Sequence, residues 1–296
     1  MVNHEDDIAR VHSVLDALGL DLMVDIHTHF MPHNVLAKVW SYFDAVDDRV
    51  GQPWPIEYRL GENERTDLLR RHRVGTFTSL LYPHRPGMAQ WLNGWAAEFA
   101  DRTPDCVRTA TFYPEPGAGA YVRAAIDDGI GIVKCHVQVG NFDVHDPHLD
   151  EVWGALDDAR IPVVIHCGSG PEPGTFTGPD PIAALMQRFP TLVLVIAHMG
   201  MPEYSDFLDL ANRYDSVHLD TTMVFTAFTD RLAPFPRDAV PRLMDLQEKI
   251  LFGSDFPNIP YPYADAVESI TALDLGDDWC RDVLHHNWGK ISLRSS

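Results

Sequence analysis

The sequence predicts an α/β fold, a single-domain barrel of eight strand–helix units with an insertion after the first strand. Three observations carry this prediction. Short Val/Ile/Leu-rich runs, the form a buried parallel strand takes, alternate with amphipathic stretches. Strand ends recur at the length of one βαβ unit, with 30 residues from His136 to His166 and 32 from His166 to His198. The 296-residue length, with 45% hydrophobic and 22% charged residues, is globular composition and suits a barrel closed as one unit.

Strand-like segments lie at 22–28, 74–81, 107–113, 131–137, 161–166, 192–198, 216–220 and 249–254. Helical periodicity fits 88–102, 118–128, 148–160, 179–188, 202–214, 237–248, 263–272 and 278–286. Alternation of strand and helix builds parallel units, and eight of them favour a closed barrel over an open doubly wound sheet. Irregular stretches interrupt the pattern between Phe30 and Thr66 and between Cys167 and Pro181. The first holds Gly51-Gln52-Pro53-Trp54-Pro55, too proline-rich for helix. Both follow strands, so both are expected to overhang the barrel mouth, with 31–66 as a lid. With no fixed-period repeat or flexible linker, 1–296 reads as one domain.

The formal net charge is −20, from 23 Lys+Arg against 43 Asp+Glu. Such a surface repels phosphate backbones and anionic membranes, so a small molecule is the expected partner, not nucleic acid or membrane. Cys106, Cys135, Cys167 and Cys280 form no C-x-x-C pair, which argues against a disulfide framework or zinc ribbon and fits a reduced cytoplasm. The acidic start, Met1 to Asp7, lacks the basic and apolar regions of a signal peptide. No apolar stretch approaches the ~20 residues that cross a bilayer.

Four of the apolar runs end in a potential metal ligand: Val24-Asp25-Ile26-His27-Thr28-His29, Val163-Val164-Ile165-His166, Val195-Ile196-Ala197-His198 and Ile250-Leu251-Phe252-Gly253-Ser254-Asp255. In a barrel these ends converge on one mouth. His27 and His29 are two apart, so on a strand both imidazoles face one side and can grip one ion. Asp25 lies on the same face one step deeper, either orienting an imidazole or capping a hydrogen bond in the barrel floor. A lone strand-end histidine is more often hydrogen-bonded than metallated, but His166 and His198 occupy matching positions in successive units. Asp255 is the most telling residue, because a carboxylate buried after Ile-Leu-Phe must pair or ligate.

Together these motifs resemble the amidohydrolase superfamily, and their wording, with Ala197-His198-Met199-Gly200 and Gly253-Ser254-Asp255-Phe256-Pro257, resembles its amidohydrolase-2 branch. That branch includes aminocarboxymuconate-semialdehyde decarboxylase and related non-oxidative decarboxylases. The resemblance covers about Val24 to Asn287. It implies a distorted TIM (β/α)8 barrel in which His27, His29, His166 and Asp255 ligate one divalent ion, zinc before manganese. It also implies that Asp255 and His198 serve as catalytic acid/base groups, and that relatives commonly pair, hence a homodimer. Binuclear members carry a carboxylated Lys or a Glu on strand four. Here Lys134 and His136 share a face of that strand, so Lys134 is either a bridge to a second ion or, preferred, a free ammonium pairing an acidic group of protein or substrate.

Arg85, in the loop after strand two, is a candidate clamp for a substrate carboxylate, against the default of a solvated arginine. Trp40, Tyr42, Phe43 and Trp54 in the insertion wall the pocket or pack the lid. His33 lies just past the first motif, within reach of the mouth; His145 and His148 are read as surface residues, and His285 and His286, on the final helix, as too far from any strand end. The primary expectation is a metal-dependent hydrolase in which activated water attacks an ester, lactone or amide of a small carboxylate-bearing molecule. Its rivals are a non-oxidative decarboxylase of an aromatic or unsaturated acid, using the same ligands, and an inactive barrel retained as a binding protein.

Overall fold

The computed structural model describes residues 2–292, and the ends of the single-domain expectation, residue 1 and residues 293–296, lie outside the described residues. Among the described residues nine strands form two parallel sheets. The first has the order β1 (Met23–Asp25), β2 (Val74–Thr78), β3 (Cys106–Val107). The second runs β4 (Thr109–Thr111), β5 (Ile132–His136), β6 (Val163–His166), β7 (Leu194–Ile196), β8 (Val217–Asp220), β9 (Ile250–Leu251). Only Arg108 separates β3 from β4, so one extended stretch edges both sheets. At the opposite edges Ile26 N–H donates to Phe252 O at 3.1 Å and Asp255 N–H to His27 O at 2.9 Å. The sheets therefore meet along both pairs of edges, and β3 with β4 counts as one of eight staves.

All eight expected strand segments contain a strand. Their apolar runs are continuous because both faces are covered: Val163, Val164 and Ile165 are each 0% exposed. One large core cluster extends from Ile8 to Leu284. Helices Ala89–Arg102, Ala118–Asp127, Asp150–Ala159, Pro179–Arg188, Tyr204–Arg213 and Tyr263–Thr271 stand where periodicity put them. Among the described residues no helix is long and apolar enough to cross a membrane, and all four cysteines are free and buried.

The structure departs from the expectation in three places. Helix His4–Leu18 precedes β1, where the sequence analysis assigned nothing. Asn3 caps it by accepting Glu5 N–H at 3.2 Å, and it buries Ile8, Val11, Leu15 and Leu18. The insertion is not wholly irregular: helix His33–Asp44 lies within it and helix Glu62–Arg71 begins before its end. The expected helix 237–248 breaks into short turns at Arg237–Ala239, Arg242–Asp245 and Gln247–Lys249. Pro241 sits in its middle, lacking the N–H that a continuous helix uses.

Candidate active site

The candidate imidazoles and carboxylates lie where strands stop, whereas Lys134 lies within β5. His27 and His29 follow β1, His136 and His166 end β5 and β6 in register, His198 follows β7, Asp220 closes β8, and Asp255 follows β9. Here backbone ladders end and loops are free to carry polar chemistry. Gly253 permits the close approach of β9 to β1, since a Cβ on it would lie 2.2 Å from Thr222 Oγ1 and 2.6 Å from His27 Cβ. Asp255 and His198 adopt left-handed backbone, φ 73 and φ 54, a region that side chains other than glycine occupy sparingly.

Asp25 takes the second of its two readings. Its carboxylate accepts backbone N–H groups of His27 and Ser254 (each 3.1 Å), Ser254 Oγ–H (2.5 Å) and Tyr263 O–H (2.8 Å). It meets no imidazole ring among the described residues and ties the loop after β1 to the loop after β9. Burial pushes its carboxyl up to about 7, against the opposing Ser254 and Tyr263 bonds.

The ligand atoms of His27, His29 and Asp255 lie within 4.8 Å of one another, and all three residues are buried. Both rings are fixed from behind. His27 Nδ1–H donates to Asp220 Oδ2 at 2.8 Å, and His29 Nδ1–H donates to Leu80 O at 2.7 Å. These assignments follow from the partners, a carboxylate and a carbonyl, which only accept. Each Nε2 lone pair then faces Asp255 Oδ1, at 3.5 Å from His27 and 2.9 Å from His29. Two lone pairs at that separation require a shared proton or metal cation. Two imidazoles and a carboxylate are donors that suit zinc or manganese, so the residues fit the implied ion.

The electrostatics follow from this crowding. Burial alone would raise Asp255, but its bond to His29 and the imidazoles around it hold its carboxyl well below the usual range. Burial, then the Lys134 charge, keep His27 well below its ordinary value. Lys134 is wholly buried, and its Nζ–H donates to His27 Nε2 at 3.1 Å. No protein carboxylate lies within hydrogen-bond reach of it among the described residues, which leaves the substrate half of the expectation. Burial pulls Lys134 down to about 8, with Asp220 and Asp255 opposing.

His198 N–H donates to Asp220 Oδ1 at 2.8 Å and its Nδ1–H to Thr222 O at 3.1 Å, which leaves Nε2 for chemistry. His166 stands outside the three-residue cluster. Its Nε2–H donates to Gly170 O at 3.1 Å, and its ring stacks on His136 at 4.1 Å and meets His198 edge-on at 4.8 Å. Ligation by His166 would therefore use Nδ1. Burial takes His166 down to about 3, and burial with the His166 charge lowers His136.

A cavity of about 870 Å³ opens above these groups, and the four expected ligands line it together with His198, Lys134, His136 and Arg85, whereas Asp25 does not. Tyr42, Phe43, Trp54, Tyr82 and Trp91 form much of its apolar wall. Helix His33–Asp44 contributes Asn34, Lys38 and Tyr42 to the lining. Trp40 instead donates its indole N–H to Asn258 Oδ1 at 3.2 Å. Lys38 and Arg85 have no carboxylate partner among the described residues, whereas Arg10, Arg70, Arg73, Arg108 and Arg188 are each paired with an acid.

Sequence reasoning missed Asp220, Tyr82 and Lys38. Asp220 ends the run Val217-His218-Leu219, the same signature that singled out Asp255, and could have been found. Tyr82, whose ring stands edge-on to His29 at 5.7 Å, and Lys38 carry no local signal.

A family model described as amidohydrolase matches residues 24–287. No curated protein matches the chain. Among solved structures, an uncharacterised TIM-barrel protein from Bordetella bronchiseptica is similar at TM-score 0.75 and 19% identity, covering 92% of this chain and 99% of that one. A 5-carboxyvanillate decarboxylase from Novosphingobium aromaticivorans, with bound manganese, reaches TM-score 0.65 at 15% identity over 92% and 97%. A probable 2-pyrone-4,6-dicarboxylic acid hydrolase from Acinetobacter baumannii reaches 0.62 at 16% over 91% and 98%. At these identities the likeness is one of fold.

Proposed function

Because the chain belongs to the amidohydrolase family, we propose that it is a metal-dependent hydrolase of an ester, lactone or amide in a small carboxylate-bearing molecule. The observation that carries this reading is the meeting of His27, His29 and Asp255 within 4.8 Å on a large cavity. The proposed ligands of one divalent ion are His27, His29, His166 and Asp255. Zinc suits this donor set, and manganese is the ion in the decarboxylase relative. A bound ion supplies Lewis acidity and brings the pKa of water toward ~7.

Asp255 would accept the water's proton and pass it to the unprotonated Nε2 of His198, which would carry it to the leaving group. Lys134, His136 and Arg85 hold the substrate, with Lys38, which lines the same cavity, as a further cation able to grip a carboxylate. Non-oxidative decarboxylation is the second reading. The buried Lys134 ammonium beside His27 favours it, because a carboxylate drawn to that cation would lie at the metal centre.

The test incubates purified, metal-loaded protein with a panel of lactones and esters and a panel of aromatic and unsaturated acids. Acid release and carbon dioxide are followed together. Acid release without carbon dioxide supports hydrolysis, and carbon dioxide without hydrolysis overturns it in favour of decarboxylation. Failure to retain any divalent ion points to a binding barrel. A homodimer in the cytoplasm completes the proposal, the pairing supported by exposed Tyr42, Trp91 and Val139 in the cavity lining and checked by sedimentation.

A further inference from the structure

We propose that Asp220 is a positioning residue that fixes the tautomer of His27 and, through the same carboxylate, the backbone of His198. It rests on the reading of His27 as a metal ligand. Three observations converge on it. Asp220 is 0% exposed, and its Oδ2 lies 2.8 Å from His27 Nδ1. A carboxylate only accepts, so the imidazole proton belongs on Nδ1. On the far side of the ring, Lys134 Nζ lies 3.1 Å from His27 Nε2, and an ammonium only donates. Both neighbours therefore select the same tautomer, with the Nε2 lone pair directed at the cluster. The third observation concerns Oδ1, which accepts His198 N–H at 2.8 Å and Thr222 N–H at 3.1 Å. His198 sits in left-handed backbone at φ 54, a conformation that persists only where its surroundings hold it.

Asp220→Asn discriminates this role from mere packing. The backbone donors of His198 and Thr222 keep the amide oxygen in the Oδ1 position, so the amide nitrogen takes the place of Oδ2. Two donors would then face each other unless His27 moves its proton to Nε2. That switch removes the lone pair from the metal side, as an Asp-to-Asn change does to the histidine of a catalytic triad.

The experiment reads the His27 tautomer by nitrogen-15 NMR in metal-free protein carrying labelled histidine, and zinc affinity by competition with a chromophoric chelator. Wild type is expected to carry the proton on Nδ1. Asp220→Asn is expected to carry it on Nε2 and to bind zinc about 10–100-fold more weakly, with folding verified by circular dichroism. Asp7→Asn is the control, because Asp7 is also buried and accepts Tyr58 O–H and Ala264 N–H, but touches none of these ligands. It is expected to keep wild-type affinity.

Three results would overturn the proposal: an Nε2-protonated His27 in wild type, an unchanged tautomer and affinity in Asp220→Asn, or an equal loss of affinity in Asp7→Asn. The wild-type spectrum decides even if Asp220→Asn does not fold. Wild-type protein that binds no divalent ion defeats the metal reading instead, while the tautomer measurement still tests the positioning role.

Discussion

Replacing Lys134 with methionine is expected to stabilise the metal-free protein near neutrality while abolishing its activity. Lys134 is 0% exposed, and the one hydrogen-bond partner of its ammonium among the described residues is His27 Nε2 at 3.1 Å. Burial pulls its pKa from 10.5 to about 8. At about 1.4 kcal/mol per pKa unit, that shift is a penalty of about 3 kcal/mol on the charged form. Below about 8 the folded and unfolded chains both hold the proton, and the penalty is present in full. Between about 8 and 10.5 the folded chain has released it and the unfolded chain has not, so stability rises with pH. Above 10.5 both are neutral and the penalty is gone.

Methionine keeps the unbranched stem and similar volume, a change that costs under about 1.5 kcal/mol. The variant should thus be more stable by about 2 kcal/mol near neutral pH, the difference between those two terms. Urea unfolding of both proteins with chelator present, from neutral pH to 10.5, measures this. The advantage must vanish toward the top of that range. A difference that does not change with pH, or a variant destabilised at neutrality, would refute the reasoning.

Asp255→Asn is expected to keep the fold and much of the metal but to lose most activity, because an amide does not accept the water's proton. His27→Ala is expected to lose metal affinity as well. Elemental analysis beside turnover separates the two, and wild-type turnover in either variant means the roles are misassigned. Gly253→Ala drives a methyl to 2.2 Å from Thr222 Oγ1 and 2.6 Å from His27 Cβ. Relief by backbone movement should cost about 1–3 kcal/mol in stability and weaken metal binding, measured by thermal unfolding with and without zinc. Unchanged metal affinity in that variant would show that the approach of β9 to His27 does not set the ligand geometry.

The fold was legible because parallel strands are covered on both faces and read as unbroken apolar runs. Ile161 to His166 and Leu192 to His198 could be found by eye. Helix boundaries such as Pro179–Arg188 followed from periodicity. Helix His4–Leu18 carries a start signal in the acidity of Glu5, Asp6 and Asp7, the same residues that argue against a signal peptide. The candidate site was legible wherever a candidate ligand stands at the end of a strand. It was not legible where a role depends on the partner across the barrel: nothing local tells Asp25, which ties two loops, from Asp220, which holds an imidazole. His166 shows the same limit, because its position was correct while its Gly170 partner, four residues on, is set by the loop.

Charge shows how one chain can attract a cation and still admit an anion. The exterior is strongly acidic, with net charge −20. At physiological ionic strength a charge is screened beyond ~8 Å, so the surface acts on what approaches and the cavity's own groups act on what enters. Among those groups Asp255 carries one negative charge against three cations, and Glu172 lies 3.2 Å from Arg49. Lys134, Lys38 and Arg85 line the same cavity and have no carboxylate partner among the described residues. The local balance is therefore cationic inside an anionic shell. The expectation against nucleic acid rests on the shell, whereas the proposal of a carboxylate substrate rests on the interior, and the two are compatible because they act at different distances.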